Sequence, residues 1–168
     1  MATLTGCQLT ALVECSIRNQ GQSTDSAGRP HALISYVPGR FGQCTTSYAA
    51  DRVANGRVFH VRRNASGAWQ KTELPVAPNS SQRTKLVLDK YDNAYAVFPY
   101  GRIAGASAAC GYTDWKLLFD GSGLNAFGEV VIDELRVKAD NVLSVMYQEK
   151  STGTTPSALH VVDFKLPA

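Results

Sequence analysis

The sequence predicts an all-β chain made of repeated four-stranded antiparallel units. Three observations carry that expectation. Short apolar segments, each the length of a strand, recur between turn signals. Almost no window keeps apolar residues at i, i+3, i+4 and i+7 for the length of a helix, and 14 Gly and 7 Pro interrupt the chain. The segments also repeat as a unit: around Asp25, Asp89 and Asp133 a strand ends in Asp, a polar turn follows, and a longer apolar strand comes next.

Taken in order, the expected strands are His31–Val37, Arg57–Arg62, Trp69–Leu74, Lys85–Leu88, Ala94–Tyr100, Ile103–Ala108, Trp115–Phe119, Glu129–Asp133, Asn141–Tyr147 and Ala158–Phe164. Asp25-Ser-Ala-Gly28, Asn64-Ala-Ser-Gly67, Asp89-Lys-Tyr-Asp92 and Asp120-Gly-Ser-Gly123 supply turns, because Asx side chains and glycine favour tight reversals. GAWQKTEL (67–74) and YTDWKLLF (112–119) read as one element in two copies. A four-stranded unit of this length is the size of a β-propeller blade. The expected units are 19–76, 83–123 and 127–168, about three blades of a larger ring and a single partial propeller over 1–168. A small two-sheet sandwich is the alternative.

At 168 residues and 44% hydrophobic, the chain is expected to bury a core. Its net charge of +3 is too slight to argue for nucleic acid, and no apolar run approaches a membrane span. Met1 to Ser16 contain no Lys or Arg and only the short apolar run Ala11-Leu12-Val13, so no signal peptide is read there. Cys7, Cys15, Cys44 and Cys110 form no C-x-x-C pair, and their pairing is open. Two sequons, Asn64-Ala-Ser66 and Asn79-Ser-Ser81, lean towards a secreted protein.

Three phrases, GRPHALISYVPGRF (28–41), LVLDKYDNAYAVFPYGRI (86–103) and LSVMYQEKSTGTTPSALHVVDFKL (143–166), resemble the C-terminal half of a family of secreted, seven-bladed, BNR-repeat-like propellers. That family includes polysaccharide lyases cleaving rhamnose–glucuronate linkages and is related to the ulvan lyase propellers. The resemblance implies β-elimination on an acidic polysaccharide. A cation neutralises the uronate carboxylate, a His or Tyr takes the acidified proton, and a Tyr or water protonates the leaving oxygen. It also implies that most of the catalytic set lies in blades of the other half. A glycan-binding module without catalysis, or an inactive truncated fragment, is the alternative.

The residues suggest where such chemistry would sit. Gly39-Arg40 and Gly101-Arg102 occupy the same link in two units, which would place two guanidinium forks on one face to bind carboxylates or sulfates. In RVFHVRR, alternation puts His60 and Arg62 on one strand face, a candidate base beside a candidate clamp. Tyr48 and Arg52 lie in a long link, 43–57, as candidate acid and clamp. Tyr100 could stack on a sugar. His31 and His160 read as structural. No cofactor is expected; Asp89, Asp92 and Asn93 could hold a structural calcium ion or simply cap their own turn. Gly121-Ser-Gly-Leu-Asn-Ala126 matches a dinucleotide-binding pattern but precedes a strand, so no phosphate cradle is expected. Self-association, or further blades, would be needed to close a ring.

Overall fold

A computed structural model describes residues 18–39, 47–80 and 82–167. They form three antiparallel sheets, each a meander of strands consecutive in sequence. The first sheet holds β1 (Arg18–Thr24), β2 (Pro30–Tyr36), β3 (Arg57–Arg63) and β4 (Trp69–Glu73). The second holds β5 (Lys85–Leu88), β6 (Ala94–Val97), β7 (Ile103–Ala106) and β8 (Lys116–Phe119). The third holds β9 (Ala126–Ile132), β10 (Val142–Glu149) and β11 (Leu159–Lys165), three strands where four were expected.

The described residues are mainly β, with two short α-helices that the apolar pattern did not announce. α1 (Tyr48–Asn55) fills the link from β2 to β3, and α2 (Glu134–Asp140) fills the link from β9 to β10. α2 starts because Asp133 accepts the Arg136 amide proton at 3.0 Å, and it stops at Asn141 in a left-handed conformation. At seven residues, it is too short for periodicity to reveal. β1 (RNQGQST) is the strand that ends at the Asp25 turn; it carries no apolar alternation, and its bounds are set by pairing with β2.

Sheet stacking builds the core. The inward face of the first sheet contributes Leu33, Val58 and Leu74, which meet Leu86, Leu88, Ala94, Ala96 and Phe98 of the second. The opposite face of the second sheet presents Val87, Tyr95, Val97 and Ile103 to Val130, Leu143, Val145 and Tyr147 of the third. The second sheet is therefore covered on both sides, which explains why β5 and β6 read as unbroken apolar runs. β1 runs hard against β5: a Cβ on Gly21 would lie 2.4 Å from the Leu86 backbone nitrogen.

The first two sheets share a turn at the atomic level. Asp25 Oδ1 accepts the amide protons of Ala27 and Arg29, and its Oδ2 accepts from the Arg29 Nε. Asp89 does the same sixty-four residues later, with Tyr91 N, Asn93 N and the Asn93 Nδ2. In both turns the side chain at i+6, His31 or Tyr95, also reaches the aspartate Oδ2. Ser26 ties the two turns together by donating its amide and hydroxyl protons to Asp92.

Candidate functional site

The densest chemistry lies between the first and second sheets. His31 on β2 and His60 on β3 meet at 2.9 Å, Nδ1 to Nε2, and His31 Nε2 faces Asp25 Oδ2 at 3.6 Å. With the His31 Nε2–H turned to Asp25, its Nδ1 accepts from the Nε2–H of His60, giving a chain Asp25–His31–His60. Tyr112 and Trp115 present ring edges to His60, each with centroids 5.3 Å away. Arg62 stacks over Tyr112 at 4.8 Å and donates to the Gly111 carbonyl. The Tyr112 hydroxyl donates to the Asp92 carbonyl at 2.9 Å.

Alternation thus places His60 and Arg62 on one face, as expected, but that face does not line a channel. His31 and His60 are each only 1% exposed, walled in by the second sheet. Burial, with His31 and Arg62 close by, pushes His60 down to about 3. Burial also lowers His31, against the pull of Asp25, so burial favours the neutral form of both rings. A uronate C–H cannot approach His60 while the two sheets are packed. Burial likewise raises the Tyr112 hydroxyl to about 12, so it is not a poised acid.

The remaining sequence candidates scatter. Arg52, buried on α1, donates to the Ser35 hydroxyl. Arg102 donates to the Ala77 and Pro78 carbonyls at 3.0 and 2.6 Å and stacks on Phe98, so its guanidinium is committed to the backbone. Gly39 and Gly101 both have positive φ, which makes the shared Gly-Arg pattern a shared turn requirement. Tyr100 is exposed and itself adopts a left-handed conformation, away from the histidine pair. Tyr48 opens α1, while Arg40 lies outside the described residues, as do Cys7, Cys15 and Cys44. Asp89 accepts from Tyr91, Asn93 and Tyr95 and so caps its own turn, while Asp92 accepts from Ser26 and Asn93 from Ala108, tying that turn to its neighbours.

A solvent-open feature escaped the sequence reading. A groove of about 470 Å³ runs along the side of the second sheet that faces the third, floored by Gly105 and Ala106. Tyr91, Asp114, Lys116 and Leu118 wall it, with Pro167 at one edge. Tyr91 is 47% exposed at the tip of the Asp89 turn, and the Lys90 ammonium lies 5.1 Å from its ring centroid. Asp114 is held by the Ser107 amide proton at 2.9 Å. The signal was available in DKYD (89–92), where an Asx turn must push its two central residues, Lys90 and Tyr91, into solvent. Among the described residues, no helix is long and apolar enough to cross a membrane. A scan against known protein-family models finds no match, and a search of curated proteins finds none either.

Proposed function

We propose that this chain is a three-blade segment of a β-propeller, akin to the rhamnose–glucuronate lyase propellers, and that it binds an acidic glycan in the Tyr91 groove without cleaving it. The observation that carries this reading is an exposed aromatic face with ammonium groups beside a small-residue floor. A tyrosine ring offers an apolar face to the C–H face of a sugar, and its hydroxyl stays wet. Lys90 and Lys116 supply positive charge for a carboxylate or sulfate, while Asp114 accepts from sugar hydroxyls. The Leu118 side chain lies over Gly105, its Cδ1 2.6 Å from where a Cβ would stand, and lends the floor an apolar surface. Face-to-face packing of consecutive meanders supports the blade reading, and sequons and resemblance support secretion.

Binding is preferred to lyase chemistry because elimination needs a base at the uronate, and His60 is sealed between sheets. The test is calorimetric titration with glucuronate oligosaccharides, with uncharged oligosaccharides as control and ultraviolet absorbance followed throughout. Tyr91→Ala and Lys116→Ala should each weaken binding about tenfold, or about 1.4 kcal/mol, and added salt should weaken it further. Unchanged binding in both variants would remove the groove from the reading. Growth of unsaturated-uronate absorbance would restore the lyase.

A further inference from the structure

The two ends of the sheet stack differ in a way that suggests what covers them. On the outer face of the third sheet, Val131, Met146 and Val161 stand in register across β9, β10 and β11. Phe127, Gln148 and Leu159 form a second row. Val131, Val161, Phe127 and Leu159 are 56%, 63%, 56% and 70% exposed, an apolar sheet face open to water. A groove of about 520 Å³ separates it from α2, where Leu135 is 82% exposed. The charged groups of this face and of the α2 start are Glu129, Asp133, Glu134 and Asp163 against Arg136 and Lys165, with Lys85 of β5 paired to Glu129 at 3.7 Å, which leaves a small acidic excess.

The outer face of the first sheet is its counterpart. Ala32, Val61 and Lys71 form one register row, and Ile34, Phe59 and Glu73 the next. Its charges are mainly basic: Arg57, Arg63 and Lys71 against Glu73. One end of the stack is therefore apolar with an acidic excess, and the other is part-apolar with a basic excess. Opposite ends attract, and like ends repel.

We infer that the outer face of the third sheet docks on the outer face of the first sheet of a second copy, head to tail, and that two copies close by making this contact twice. A face three strands wide and about seven residues long covers roughly 14 by 23 Å, or about 330 Å². One contact then buries about 660 Å² over both partners, and two bury about 1,300 Å². Stable interfaces start at about 1,200 Å². A single contact falls short and a closed pair suffices, which selects the dimer over an open chain. This inference is independent of the glycan reading.

Sedimentation velocity over a micromolar concentration series tests it, using the full chain and two charge variants. The wild type should be a discrete dimer that dissociates on dilution. Val161→Lys, which sets a cation against the basic face, should be a folded monomer by circular dichroism. Lys71→Glu, which sets a carboxylate against the acidic face, should be monomeric too. Mixing the two should restore dimer, because one contact is wild type and the other pairs the new Lys with the new Glu. Val131→Lys replaces Val161→Lys if the latter fails to fold. A monomeric wild type, a ladder of larger species, or a Lys71→Glu variant that still dimerises would each overturn the inference.

Discussion

His60 looks catalytic in sequence and is structural in the fold, and pH separates the two roles. Burial holds its pKa at about 3, against an ordinary value of 6.5, and it also lowers His31. A histidine whose folded pKa is depressed takes up a proton more readily when unfolded. Its contribution is therefore complete above about pH 6.5 and falls away as the pH drops towards 3. Burial alone would raise Asp25, but the hydrogen bonds and charge of Arg29, with His31 nearby, outweigh it and lower the carboxyl. That contribution is present above 3.8 and is lost below it, so both groups destabilise the fold in acid. The expected outcome is a urea midpoint flat above pH 7 that declines from pH 6.5, losing on the order of 3–5 kcal/mol by pH 3. His60→Leu should be less stable at pH 7, because His31 Nδ1 loses its donor, but should show a shallower acid limb. An equally steep limb in the variant would mean that the histidine pair does not set the acid response.

At the scale of single elements, the Asp turn is the unit that repeats. Asp25 and Asp89 each satisfy two amide protons and two side-chain groups from within seven residues. Removing either carboxylate strands several part-buried donors, so Asp25→Ala and Asp89→Ala should each cost about 2–4 kcal/mol in chemical denaturation. Asp133→Ala should cost only about 1 kcal/mol, because at the third position the aspartate caps α2. Equal costs at all three would dissolve that distinction. Gly21 shows a different limit: its Cβ would collide with the β5 backbone, so Gly21→Ala should cost about 1–3 kcal/mol by forcing β1 from β5. The Asp turns were legible because Asx chemistry is local and repeats in the sequence. β1 was legible only as the strand that ends at Asp25, since its polar residues are held by pairing with β2 rather than by their own pattern. His60 shows the same boundary. Alternation gives the face of a strand, but whether that face meets solvent or a second sheet is decided by residues such as Tyr112 and Trp115, fifty positions away.

Across the whole molecule, the position of the second sheet governs stability. The first sheet packs through one face on Leu86, Leu88, Ala94 and Ala96, and the third through one face on Val87, Tyr95 and Val97. Those residues alternate along the same two strands, so β5 and β6 serve both cores at once. Any opening that exposes the second sheet must break one of the two clusters, whereas β4 and β11 are edge strands, β11 adding only the partly buried Val162 and Phe164 to the second cluster, so they can fray first. Hydrogen–deuterium exchange should therefore find the slowest amides in 85–88, 94–97 and 103–106. Exchange should be faster in 69–73 and 159–165, and 142–149 should be intermediate because β10 is central in its sheet but covered on one face. The ordering follows from two-sided burial, and it is independent of what the groove binds. Slower exchange in 142–149 than in 94–97 would place the most stable unit in the third sheet. The second sheet would then be a spacer between two independently stable ends, and its apolar runs would report packing volume rather than cooperativity.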